Sequence, residues 1–283
     1  MLFEKHTYIK SPMNYTGGKY RLLPQILPLF PDRISCFFDM FTGGANVAAN
    51  VNAGKIIAND ISGQITGIYK KLQETDISDT LEYLSIKIQE YCLTKSDKQA
   101  YIRFRDMYNK SDDKNPLDLF VLICHSFNNQ IRFNRNGEFN MPFGERTFNK
   151  KTEENLLCFY KAIKNVEFTS MDFRKFDISR LDKNSFVYCD PPYLITRATY
   201  NFDGGWTEKD ENDLLCWIDG LDRKGIRFAL SNVMENKQQK NLILGKWSVK
   251  YNVHHLNNSY YNCNYHAKDK SVGTTDEVLV TNY

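Results

Sequence analysis

Hydrophobic and polar positions along the 283-residue chain follow two rhythms. Short runs dense in β-branched and aromatic residues predict strands at CFFDMF (Cys36 to Phe41), KIIAND (Lys55 to Asp60), VEFTSM (Val166 to Met171), FVYCD (Phe186 to Asp190) and IRFALS (Ile226 to Ser231). VKYNVHH (Val249 to His255) and EVLVTN (Glu277 to Asn282) follow. Between the second and third runs lie roughly a hundred residues without a strand pattern. Apolar positions recur there at helical spacing, as in LEYLSIKIQEYCL, SDKQAYIRFRDMYNK and PLDLFVLICHSF. Ser96 suits a helix cap and Pro116 a first-turn position. Strand and helix alternate again afterwards, with TEKDENDLLCWIDGL from Thr207. Such alternation implies an α/β fold with a mostly parallel sheet covered on both faces, interrupted by a helical insertion.

Composition leaves that picture intact. At 42% hydrophobic and 25% charged residues the chain is neither disordered nor a membrane protein in character. The apolar run Leu119 to Cys124 is far short of a bilayer span, and MLFEKH lacks a signal-peptide core, so a cytoplasmic protein without membrane attachment is expected. Seven cysteines, an odd number with no Cys-x-x-Cys pair, suit reduced thiols. His254, His255, Cys263 and His266 are too loosely spaced to predict a metal site over a solvated loop, and none is expected. The net charge of +3 announces no nucleic-acid partner. The window Arg132 to Lys151 is more suggestive, setting Arg132, Arg135, Arg146, Lys150 and Lys151 against Glu138 and Glu145 among Phe and Asn residues. That mixture suits phosphates and base edges, and equally a solvated basic loop.

Three stretches carry chemistry. DMFTGGANV (Asp39 to Val47) places two glycines where a strand turns into a helix and a ligand approaches the backbone; it lacks the Gly-Lys-Ser/Thr ending of a phosphate loop. Asp60 closes the next strand about twenty residues on, where nucleotide-binding α/β folds use an acid to hold a ribose. Together they suggest an adenosine-containing ligand. NYTGGKYRLLPQI (Asn14 to Ile26) carries a second glycine pair, and reads either as the start of a plain helix or as an element bringing Tyr15 and Lys19 to that ligand. FVYCDPPYLI ends a strand in an acid, two prolines and a tyrosine. Asp190 and the Pro191 carbonyl offer two acceptors, the second held in direction because Pro191 and Pro192 restrict the backbone, and Tyr193 offers a face for stacking. The set suits an exocyclic amino group on an extruded base.

Asp-Pro-Pro-Tyr with the upstream Phe-x-Gly-Gly and Thr-Gly-Gly-Lys resembles the amino-methylating DNA methyltransferases, most of all the Dam-type adenine methylases of T-even bacteriophages. NYTGGK, FTGGANV, AND, FNNQIRFNRNGEFNMPFGERT, FVYCDPPYLI, LSNV and GTTDEV carry the likeness across nearly the whole chain. The resemblance implies an S-adenosylmethionine-dependent methyltransferase fold, a mixed seven-stranded sheet with an antiparallel final strand. It implies a catalytic domain in two parts, residues 1–61 and 161–283, around a target-recognition domain at 62–160 with a DNA-reading hairpin near 127–147. Tyr15 and Lys19 would flank the methyl donor, the turn Phe41, Thr42, Gly43 and Gly44 would contact it, Asp60 would take its ribose, and Phe173 with Asp172 would border its adenine. Asp190, Pro191, Pro192 and Tyr193 would perform the reaction on double-stranded DNA. Arg132 matches an arginine that reads guanine, Phe127 an aromatic wedge, Asn128 a backbone or base contact, and Pro142 an apolar contact. Gln130, Asn134, Arg135, Asn140 and Arg146 belong to the same hairpin, and Tyr200 and Asn201 to a loop near the extruded base. Gln130 stands where relatives carry Leu or Met, so the implied GATC site competes with another guanine-adenine site. Cytosine-N4 methylation and an inactive DNA-binding homologue are the alternatives to adenine methylation. Monomer and weak dimer on DNA stay equally open.

Overall fold

The computed structural model describes residues 8–196, 205–257 and 275–283. Tyr200 and Asn201, and Cys263 and His266, lie outside the described residues. In chain order the main elements are α1 (Leu23–Ile26), β1 (Cys36–Asp39), β2 (Lys55–Asn59), α2 (Gly63–Glu74), α3 (Ile77–Glu90), α4 (Lys98–Lys110) and α5 (Pro116–His125). They continue with α6 (Lys150–Ile163), β3 (Val166–Thr169), β4 (Ser185–Cys189), α7 (Glu208–Arg223), β5 (Arg227–Asn236), β6 (Gln239–Lys240), α8 (Leu242–Ser248), β7 (Asn252–Leu256) and β8 (Thr275–Thr281). They fall into two compact units. The first comprises Met1–Tyr20, Thr42–Asn50 and Ser62–Ser170, the second Arg21–Phe41, Val51–Ile61 and Met171–Tyr283.

The second unit is a mixed sheet with strand path β2-β1-β4-β5-β8-β7, to which β6 adds a short hairpin on β5. The pairs β1/β2, β1/β4 and β4/β5 are parallel, and β8 runs antiparallel between β5 and β7. The expected antiparallel final strand is therefore present, and six of the expected seven strands lie on this path. β3 counts with the first unit. Every residue of β4 is buried, as a central strand covered on two faces requires. Phe186 and Tyr188 pack with Phe30 and Phe37 on one face. Val187 and Cys189 join Phe38, Leu214, Ile218, Phe228, Leu230 and Val280 on the other.

Helices α2 to α6 lie in the first unit and occupy most of the strandless stretch, which is helical as its periodicity predicts. Its core gathers Tyr69, Phe104, Phe120, Phe139 and Phe159, all fully buried. Pro116 opens α5 in its first turn. The cap of α4 is Asp97, one residue past the expected Ser96, because the Asp97 carboxylate accepts from the Ala100 amide at 2.9 Å.

Two expected elements take another form. The strand expected from Val249 begins only at Asn252, since α8 occupies Leu242–Ser248. After β1, the glycine pair leads into a series of turns, with no regular helix. Positive φ at Gly43 (45°) and Ala45 (54°) breaks the helical path there.

Candidate functional site

In the second unit, parallel pairing brings the carboxyl ends of β1, β2, β4 and β5 to one edge of the sheet. Asp60 follows β2 and is buried to 7% exposure. Beside it, Asn59 ties neighbouring segments together: its amide donates to the Met40 carbonyl at 3.1 Å and the Met171 carbonyl at 2.9 Å, and accepts from the Met171 amide at 3.1 Å. Nothing local in the sequence marks this role of Asn59, since its partner Met171 stands 112 positions away.

Phe173 sits in an aromatic group with Phe41 at 5.6 Å, Trp206 at 6.1 Å and Trp217 at 6.3 Å between ring centroids. Trp206 is a residue the sequence reading missed; a lone tryptophan after a glycine pair was its only signal. Its indole donates to Glu211, a fully buried carboxylate that also accepts from Asn232 at 3.0 Å and Asn241 at 2.9 Å. Asp172 caps the turn Phe173–Lys175 by accepting from the Arg174 amide. Arg174 in turn lies over the Phe173 ring, 4.5 Å from its centroid, and pairs with Asp172, Asp210 and Asp213. The Asp172 carboxylate is thus engaged in shaping the turn that carries Phe173.

Asp190, Pro191, Pro192 and Tyr193 leave the end of β4 as expected of a strand-terminating acid and proline pair. The Tyr193 hydroxyl lies 2.9 Å from Asp190 Oδ1 and 3.1 Å from Glu277 Oε1 of β8. Desolvation, with these two carboxylates beside it, pushes the Tyr193 phenol well above its ordinary range, so it keeps its proton as donor. Tyr188 hydrogen-bonds Ser231 at 2.8 Å, and burial pushes its phenol up as well. Burial raises the neighbouring Cys189 thiol in the same way, which makes it a packing residue and no nucleophile.

In the first unit, Tyr15 meets the glycine turn of residues 42–44. Gly17, with φ of 80°, and the Gly18 amide bonded to the Tyr15 carbonyl at 3.0 Å form a tight turn. Lys19 is buried and donates to the Gly17 carbonyl at 2.8 Å. Gly43 is required twice over: its φ is positive, and a Cβ there would lie 2.9 Å from the Tyr15 ring. The Tyr69 hydroxyl fixes the Gly43 carbonyl at 2.6 Å, and Thr42 accepts from the Ala45 amide at 2.7 Å through its carbonyl.

The stretch 126–144, also in the first unit, is an irregular hairpin bridged at Ser126/Phe143 and Phe133/Phe139. Ile131, Phe133, Phe139 and Met141 are buried, while Arg132, Asn134, Asn140 and Pro142 alternate with them on the more exposed side. Asn140 holds the Arg132 guanidinium edge-on, accepting from Nε through its side chain and from Nη2 through its carbonyl, each at 2.8 Å. Asn134 caps the tip by accepting from the Asn136 and Glu138 amides, with Gly137 at φ 75° and Arg135 exposed. Phe127 is half exposed at 51%, and its amide bonds the Pro142 carbonyl at 2.8 Å. Asn128, at φ 54°, is braced by Asn14 on its carbonyl (2.8 Å) and Arg146 on its side chain (3.2 Å). The Gln130 amide donates to the Phe127 carbonyl at 3.1 Å.

Residues 15–261 match the D12 class N6 adenine-specific DNA methyltransferase family. The chain belongs to that family. It is 47% identical over 287 residues to the type II methyltransferase M.FokI of Planomicrobium okeanokoites, a match covering 98% of this chain and 43% of that protein. The modification methylase StsI of Streptococcus sanguinis is 44% identical, again over 98% of this chain and 43% of the relative. The DNA adenine methylase of Escherichia coli K12 is more distant, 29% identical over 78% of this chain and 79% of its own. The chain spans less than half the length of the first two relatives. Likeness is therefore greater to M.FokI and StsI than to this DNA adenine methylase.

Among the described residues no helix is long and apolar enough to cross a membrane, and no group of His, Cys, Asp and Glu residues is arranged to hold a metal ion.

Proposed function

We propose that this chain transfers a methyl group from S-adenosylmethionine to the exocyclic N6 of an adenine extruded from double-stranded DNA. The observation that carries the reading is the Asp190 carboxylate placed at the end of the central parallel strand with the Tyr193 hydroxyl 2.9 Å away. The second unit also suits the adenosine part of the donor: Asp60 is a buried carboxylate for ribose hydroxyls, and Phe41, Phe173 and Trp206 supply aromatic faces. Tyr15, Lys19, Thr42, Gly43 and Gly44 keep the donor-facing roles that the family resemblance gives them, and Asp172 acts by fixing Phe173.

Adenine's amino nitrogen is a poor nucleophile because its lone pair is delocalised into the ring. The Asp190 carboxylate and the Pro191 carbonyl accept its two hydrogens and favour a pyramidal nitrogen whose lone pair faces the methyl group. The sulfonium supplies a methyl ready for displacement. Positioning, and stabilisation of the positive charge developing on nitrogen, then provide the acceleration. The proton leaves after transfer, and no strong base is needed. Tyr193 offers the base its ring and Asp190 its proton.

Target choice is assigned to the hairpin. Arg132, held in plane by Asn140, presents its remaining N–H groups to a guanine beside the adenine, within GATC or another guanine-adenine site. Phe127 wedges into the stack, Asn128 and Pro142 add nearby contacts, and Arg135 and Arg146 meet phosphates.

The test is incubation of the purified chain with plasmid DNA and S-adenosylmethionine, followed by digestion to nucleosides and mass analysis. N6-methyldeoxyadenosine is expected. N4-methyldeoxycytidine as the only product, or no methylated nucleoside, contradicts the proposal.

A further inference from the structure

Glu277 is a carboxylate with only 2% exposure placed against the Asp190 and Tyr193 pair. It stands near the start of β8, opposite Val233 of β5 and Leu256 of β7. Antiparallel insertion of β8 is what carries this residue to the sheet edge where β4 ends. Resting on the adenine-methylation reading, we propose that Glu277 is a positioning residue for the reaction, acting on Asp190 through the phenol of Tyr193.

A phenol has one hydrogen to donate, and two carboxylate oxygens lie within hydrogen-bond distance of Tyr193 Oη, at 2.9 and 3.1 Å. The hydroxyl is therefore shared between Asp190 Oδ1 and Glu277 Oε1. Sharing fixes the rotation of the hydroxyl and the plane of the ring that is offered to the base. It also leaves Asp190 a stronger acceptor than a carboxylate that holds the whole phenol proton, and acceptor strength at Asp190 is what draws the amino hydrogens of adenine. A glutamine in place of Glu277 keeps the shape but can turn its N–H toward Oη. The phenol then donates wholly to Asp190 and weakens it.

A double-mutant cycle separates this role from simple packing. Glu277→Gln should lower the single-turnover methyl-transfer rate about tenfold while leaving KM for DNA and for S-adenosylmethionine within about twofold. In a Tyr193→Phe background, which keeps the ring and removes the shared proton, the same change should alter the rate by less than about twofold. Equal losses in the two backgrounds, or a loss appearing in KM alone, overturn the proposal. So does undiminished turnover in Glu277→Gln.

A second measurement needs neither turnover nor ligand. In protein carrying ¹³Cζ-tyrosine, the Tyr193 resonance is assigned by its disappearance in Tyr193→Phe. With Glu277→Gln, or with Glu277→Asp if the glutamine variant does not fold, its chemical shift should move and its phenol should ionise at lower pH than in the native protein. An unchanged resonance and titration overturn the proposal. If the native enzyme yields no methyladenine, the function proposed above fails and this role falls with it; methylation by the native enzyme with an additive cycle sinks the role of Glu277 alone.

Discussion

The strand-end cluster of the second unit and the hairpin of the first hold their polar residues by opposite means. Asp190, Tyr193 and Glu277 are brought together from two strands, with 84 positions between Tyr193 and its β8 partner. Arg132 is braced by Asn140 eight positions away on the same hairpin. The cluster borrows rigidity from a sheet core, with Glu277 buried and Asp190 and Tyr193 half-buried, which suits electrostatic work on a reacting atom. The hairpin half-buries Arg132, Asn134 and Asn140 and opens to water at its tip, with the apolar residues Ile131, Phe133, Phe139 and Met141 anchoring the other side. That suits reading a partner whose sequence varies, since a local brace can change without disturbing the fold.

If this contrast is right, damage to the cluster should stop the chemistry while damage to the hairpin should alter where it occurs. The largest effect is expected of Asp190→Ala, which should reduce single-turnover methyl transfer by about a thousandfold or more with thermal unfolding little changed. Wild-type turnover in that variant would remove Asp190 from the reaction. Next comes Gly43→Val, whose Cβ would meet the Tyr15 ring at 2.9 Å with φ at +45°. It should cost about 2–3 kcal/mol in urea unfolding, as strain and overpacking together do.

Arg132→Ala sharpens the comparison from the other side. Discrimination at one base pair should fall by about 1–3 kcal/mol, read as the ratio of methylation rates on DNA with and without the guanine. The rate on the best site should suffer less than in Asp190→Ala. Asn140→Ala should give the smallest change, about 1 kcal/mol in the same ratio, and should add nothing in an Arg132→Ala background.

These differences in reach also explain what the sequence made legible. Asp190 and the proline pair are adjacent, and Asp60 ends a strand whose pattern is plain, so local reading finds them. The helical insert shows itself by periodicity alone. The hairpin's alternation around Ile131 and Phe133 was visible as a mixture of aromatic and basic residues, although the Arg132 to Asn140 bond was not. The pairings of Glu277, Asn59 and Glu211 are not legible locally, because their partners stand 84, 112 and 21 or 30 positions away and are brought near only by sheet pairing and packing. The turns after β1 depart from the expected helix where Ala45, unlike glycine, gives no warning in the sequence of its positive φ.

The measurement that bears most directly on the central claim is single-molecule sequencing of a plasmid treated with S-adenosylmethionine and either the native chain or Asp190→Ala. The account predicts N6-methyladenine confined to one guanine-adenine site with the native chain and a bare plasmid with the variant. Methylation that persists in Asp190→Ala, or that falls on cytosine, would contradict it.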